Sequence, residues 1–219
     1  MRSEVIYEPA DVALQLASLD LEMEALRDVA RAWLLAYSNW TPNHPRTYRG
    51  LSAWAESVRK LRDYAVPKKW TRSEERNYPL TVHPSGTHCI AITSGDADTG
   101  IVKGNPKNKI PKGPRTAEVV EQNSMQLRLF LDDDVPALPA SLLERAPKAR
   151  VTRILLIHVD VDNKEIRAEL SLPMHMNSDG LITAWRNRII LTAVPFDGEP
   201  IDFDQPKAPN LDIEIRRRA

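Results

Sequence analysis

VTRILLIHVDVDNKEIRAELSLP, residues 151–173, decides the fold. Two runs rich in β-branched and long apolar side chains flank a short polar stretch, the clearest β signal in the chain. A two-residue turn at Asn163 and Lys164 makes them a hairpin in which Val161 faces Ile166, Val159 faces Ala168, Ile157 faces Leu170 and Leu155 faces Leu172. That face is apolar, so positions 155, 157, 159 and 161 are expected to be buried. The opposite face pairs Asp162 with Glu165, Asp160 with Arg167 and His158 with Glu169.

Outward from the hairpin, LITAWRNRIILTAV and LDIEIRRR contain further strands downstream. Upstream, YPLTV, HCIAIT and the alternating MQLRLFL read as strands, whereas TAEVVEQN and PASLLERAP read as short helices. Nearer the N-terminus, Leu19, Met23, Leu26, Val29, Ala30, Trp33, Leu34 and Tyr37 follow helical spacing over 18–38, with Ser18 or Asp20 as cap. TPNHP interrupts, and a second stripe at Leu51, Trp54, Val58, Leu61 and Tyr64 runs to Pro67. The fold expected is α+β: an N-terminal helical pair (1–77) packed on a mostly antiparallel β-sheet (78–219), forming one compact domain with a long basic loop.

A chain of 219 residues can bury roughly 70% of the surface its unfolded form exposes, so no metal or disulfide is needed to hold it together. The lone Cys89 lies in an apolar run and is expected to be a buried thiol in a reducing compartment. The sequence has no apolar leader and no run of about 18 uncharged apolar residues, so a cytoplasmic protein without a membrane span is expected. Formal net charge is zero, but residues 46–76 hold nine Lys/Arg against four Asp/Glu. Residues 118–144 and 195–214 are acidic. Polyanion binding would therefore be local, acting over about 8 Å at physiological salt.

The strongest candidate for such binding is TGIVKGNPKNKIPKGPRTAE, residues 99–118, with Lys103, Lys107, Lys109, Lys112 and Arg115 and no acid before Glu118. Its glycines and prolines oppose regular structure, and a solvated loop is the plain alternative. Thr116 after Lys-Gly-Pro-Arg would cap a helix whose start could seat a phosphate. KKWTR adds Lys68, Lys69, Trp70 and Arg72, an indole among cations suited to stacking on an unpaired base.

Other constellations are weaker. Asp160 and Asp162 in VDVD, with Glu169, could share a divalent cation, but cross-strand pairing of Asp160 with Arg167 accounts for the same residues. His83, His88 and Cys89 lack the fourth ligand of a zinc site, and strand alternation points His88 and Cys89 to opposite faces. Asp96 and Asp98 in SGDADTG read as a surface turn. No nucleophile elbow is present. No metal or cofactor is expected. The function expected is a nucleic-acid-binding accessory protein, one subunit of a larger bacterial-type assembly, with a protein partner or a second copy of itself. The alternatives are a metal-dependent phosphoryl-transfer enzyme or nuclease using Asp160, Asp162 and Glu169, and a protein-binding component that touches no nucleic acid.

Overall fold

The computed structural model describes residues 3–131 and 150–196, the side chains of 127–131 excepted. In chain order the elements are β1 (Glu4–Ile6), α1 (Pro9–Ala17), α2 (Met23–Ser38), α3 (Tyr48–Ala65), β2 (Thr71–Ser73), β3 (Leu80–Val82), β4 (His88–Ser94), α4 (Pro114–Leu131), β5 (Val151–Asp160), β6 (Glu165–Met176), β7 (Ile182–Ile190) and β8 (Val194–Pro195). The expected helix PASLLERAP and strand LDIEIRRR lie outside the described residues. None of the described helices is long and apolar enough to cross a membrane.

The strands form one sheet in the order β1-β7-β6-β5-β4-β3-β2, with β8 paired to β6. β1 runs parallel to β7, and β4 parallel to β5 across the connection that contains α4. The remaining pairs are antiparallel. Four helices thus pack on an eight-stranded sheet, an α+β fold.

The hairpin keeps its expected faces but not its expected register. Leu155 lies opposite Leu170, Ile157 opposite Ala168 and Val159 opposite Ile166, a slip of two residues. An even slip preserves which side chains face the core, whereas an odd one would exchange them. The cause is the turn: Val161–Lys164 makes a four-residue loop, with Lys164 at φ 53° and the Asp160 carboxylate accepting from the Asn163 backbone N–H at 3.1 Å and from Asn163 Nδ2 at 2.9 Å. Val161 is consequently 48% exposed and Val159 half-buried, contrary to expectation, while Leu155 and Ile157 are buried. Arg167 now faces His158, yet its Nη2 reaches Asp160 diagonally at 2.9 Å.

Both faces of the central strands are covered. Leu155, Ile157, Ile166, Ala168, Leu170 and Ile189 meet Leu26, Val29, Trp33 and Leu61 of α2 and α3, so one core joins the two halves of the chain. Cys89, Ala91, Ile154, Leu156, Ile182 and Trp185 form a second core with Val120 of α4. This double burial is why CIAI and ILLI are continuous apolar runs without alternation.

Two helix boundaries differ from expectation. The stripe over 18–38 is broken by a turn with Asp20 at φ 57°, so α2 starts at Met23 and a separate α1 precedes it with Pro9 in its first turn. MQLRLFL is the second half of α4, not a strand. Once nucleated at Pro114, the helix meets no Gly or Pro before residue 131, and propagation adds a hydrogen bond per residue. Asn123 fastens it to the sheet by donating to Thr152 O at 2.9 Å and Pro173 O at 3.1 Å and accepting from the Thr152 N–H.

Candidate functional site

The basic loop is an ordered strap over the sheet. Its first part, with residues 95–98 that lead into it, lies on a polar patch of β6 and β7 built around Glu169, Ser171 and Arg188, all buried. Glu169 accepts from Arg188 Nε at 3.0 Å, from Arg188 Nη2 and from Ser171 Oγ at 2.7 Å. Its Oε2, the acceptor of the Arg188 Nη2 bond, also accepts the Gly100 N–H at 2.9 Å. Arg188 also donates to the carbonyls of Gly104 at 2.7 Å and Ile101 at 3.0 Å, and Arg167 donates to Ala97 O at 3.1 Å. Gly100, at φ 75°, approaches so closely that a Cβ there would stand 2.9 Å from Cβ of Arg167.

The second part of the strap is pinned by Trp185 Nε1 donating to Pro106 O at 2.8 Å and by Asn108, which donates to the carbonyls of Ile110 and Gly180 and accepts the Ile182 N–H. Lys112 N–H then donates to Gly180 O at 2.9 Å. Glu169, Arg188, Asn108 and Trp185, polar groups that would be costly to bury alone, thus find partners in the strap.

That path delivers Lys109 and Lys112 to a cleft of about 620 Å³ beyond the carboxyl ends of the parallel strands β4 and β5. Such crevices are recurrent ligand sites in sheets with parallel neighbours. One wall is Thr93, Ser94 and Gly95 with Ile157, His158 and Val159; the other is the start of α3 with Trp33 and Tyr37 of α2. Arg46, Arg49, Lys109 and Lys112 are its cations, Trp33, Tyr37 and Trp54 its aromatic rings, and no Asp or Glu is among its described lining residues. The Arg49 guanidinium lies 4.0 Å from the Tyr37 ring centroid, and its Nε donates to Tyr37 O at 3.2 Å. Among the described residues no acid pairs with Arg46, Lys109 or Lys112. α3 has no acid in its first turn, and Thr47 and Gly50 at its start line the cleft, so the positive end of the helix dipole adds to the field. Burial pushes the His158 imidazole below its usual range, which favours the neutral ring near pH 7.

The other expected site residues are dispersed. Lys103 is exposed on the strap and Lys107 is half-buried, neither lining the cleft. Arg115 pairs with Glu118 at 2.9 Å and faces Glu75 at 3.8 Å. Lys68 donates to Glu22 Oε1 and Tyr64 Oη, both at 2.7 Å, and these bonds raise its pKa. Lys69 is exposed, and Arg72 lines a separate hollow that also contains Asp63 and Glu74. Trp70 is a correction: it is 2% exposed, with its ring edge-on to His83 and His88, and presents no face for stacking.

Asp160, Asp162 and Glu169 do not converge. Asp160 is held by Asn163 and Arg167, Asp162 is exposed and Glu169 is sealed beneath the strap. The rings of His83 and His88 stack at 4.2 Å, while Cys89 lies in the second core. Among the described residues, no group of three His, Cys, Asp or Glu side chains is placed to hold a metal ion. The residues that sequence reading passed over are Arg46, Tyr37, Trp54 and His158. RTYRG carried a signal, because cations three apart followed by glycine, at a helix start, open toward whatever lies beyond that end.

No family model matches the chain, and no curated protein or solved structure matches it.

Proposed function

We propose that this chain binds nucleic acid, taking a single strand in the cleft between α3 and the ends of β4 and β5. The observation that carries the proposal is the lining: in a protein of zero formal net charge, four cations and the rings of Tyr37 and Trp54 border a space with no carboxylate among its described lining residues. Cations that track a phosphate backbone beside aromatic rings that stack on bases are the general means of holding single strands. A volume of about 620 Å³ falls among sites that enclose small ligands, and suits an unpaired nucleotide better than a duplex. The reading retains Lys109 and Lys112 of the basic loop, adds Arg46 and Arg49, and gives no part to Trp70.

A fluorescence-anisotropy titration with a labelled single-stranded oligonucleotide tests it. Binding should weaken as salt rises, with a log–log slope of about 0.7 per phosphate contact, and the matching duplex should bind less tightly. Tighter binding of the duplex, or no salt-dependent binding of the single strand, would contradict the proposal.

A further inference from the structure

Lys112 differs from the other cations of the cleft. It is half-buried where the cleft adjoins a second cavity of about 280 Å³, and Trp54, Thr93 and Lys112 line both. Its backbone is fixed between its N–H bond to Gly180 O and a carbonyl so close to Gly180 that a Cβ there would meet it at 2.6 Å. Its ammonium has neither a hydrogen bond nor an ion pair among the described residues, and no described carboxylate lines either cavity. Burial is the one cause acting on it, and it lowers the pKa from the ordinary 10.5. A cation withdrawn from water without a counterion gives up its proton readily, and the neutral amine is a nucleophile. Lys109, exposed in the same cleft, shares the electrostatic surroundings but not the burial.

We propose that Lys112 is a nucleophilic amine that condenses with the aldehyde of a phosphate-bearing ligand held in the cleft. The Nζ lone pair attacks the carbonyl carbon to give a carbinolamine. Its hydroxyl then leaves as water with the proton from nitrogen, and an imine remains. One water is released for each imine formed, and no oxidant or reductant is consumed. Arg46, Arg49 and Lys109 are the groups that would draw the phosphate in. Two sources carry this chemistry: an abasic sugar within a single strand, whose aldehyde lies between phosphates, and a small phosphorylated aldehyde. The first source rests on the nucleic-acid reading above; the second does not.

The protein is incubated separately with pyridoxal 5′-phosphate and with a single-stranded oligonucleotide bearing one abasic site. Borohydride then supplies hydride to convert any imine into a stable secondary amine, and peptide mass mapping locates it. The adduct should concentrate on Lys112, form more slowly on Lys109, be lost in Lys112→Arg and persist in Lys69→Arg. The rate should rise with pH to a midpoint below 10.5, the ordinary lysine value. Labelling of the oligonucleotide alone assigns the strand as source; labelling by pyridoxal phosphate alone assigns the small aldehyde. Adducts distributed over exposed lysines in both arms, or a Lys112→Arg protein labelled as fast as the original, would overturn the proposal. Intact oligonucleotide bound without any Lys112 adduct refutes this inference and leaves the binding reading standing. A Lys112 adduct without binding of intact strands supports the amine and refutes the binding reading.

Discussion

Two basic regions of this molecule have similar composition and opposite electrostatic character. Along α3 and just beyond it, Arg59 pairs with Glu56 and Asp63, Lys60 faces Asp28, Arg62 pairs with Glu74 and Lys68 with Glu22. At the start of α3 and the end of the strap, Arg46, Lys109 and Lys112 have no such partners among the described residues. A run of lysines and arginines therefore predicts a polyanion site only after its acids are located in space. The paired region is a neutralised surface. The cleft gathers cations without acid partners beside aromatic rings.

This contrast depends on the strap, because the strap brings two of the cleft's cations into position. The largest effect is expected for Glu169→Ala, which leaves the Arg188 guanidinium buried without its carboxylate and frees the Gly100 N–H. Loss of one member of a buried pair costs about 3–5 kcal/mol, to be read from urea denaturation. A cost below ~1 kcal/mol would mean that the buried pair does not hold the strap.

A smaller effect is expected for Asp160→Asn, since Asp160 steadies the Arg167 side chain that donates to Ala97 O. The cost should be about 1.5–3 kcal/mol, as for hydrogen bonds to a charged group. The bonds from Asn163, followed by the Arg167 charge, hold the Asp160 carboxyl below its ordinary 3.8. The unfolded chain thus takes up this proton first as pH falls. Stability from Asp160 is complete above 3.8 and disappears as pH drops through the lower folded value, so original and variant should converge in acid. A gap that stays constant down to the lowest pH would show that the ionised carboxylate is not the source.

The smallest change in stability is expected for Glu56→Gln combined with Asp63→Asn, which uncovers Arg59 on an exposed surface. Each exposed pair contributes about 0–1 kcal/mol. The melting temperature should hardly move, while weak, salt-sensitive binding of single strands appears at this second place. No gain in binding would mean that free charge without aromatic walls is insufficient, which sharpens the contrast in favour of the cleft.

The fold was legible where period and burial coincide. Leu155, Ile157, Ile166, Ala168 and Leu170 share a face under any even register, so the faces followed from the sequence while the two-residue slip, set by the Asp160–Asn163 turn, did not. MQLRLFL misled because alternation in a short run also fits a helix already under way. The strap reads from sequence as a polyanion-binding or solvated loop because its glycines, prolines and lysines describe its own surface and not the one beneath it. RAELSL and RNRII held the missing clue: a charged residue in mid-strand among apolar neighbours requires a buried partner. Of the candidate site, Lys109 and Lys112 were legible. Their meeting with Arg46, Arg49 and Trp54 was not, since it depends on how α3 crosses the ends of β4 and β5.

The most direct measurement compares two variants that lose equal charge. Arg46→Ala with Lys109→Ala removes two exposed cations from the cleft, and Arg59→Ala with Lys68→Ala removes two from the neutralised region. Single-strand affinity is titrated against salt for the original protein and both variants. The cleft variant should lose affinity and lower the log–log slope by about 1.4, two contacts at roughly 0.7 each, while the other variant follows the original protein. Equal loss in both variants, or loss only in the second, would contradict the assignment of binding to the cleft.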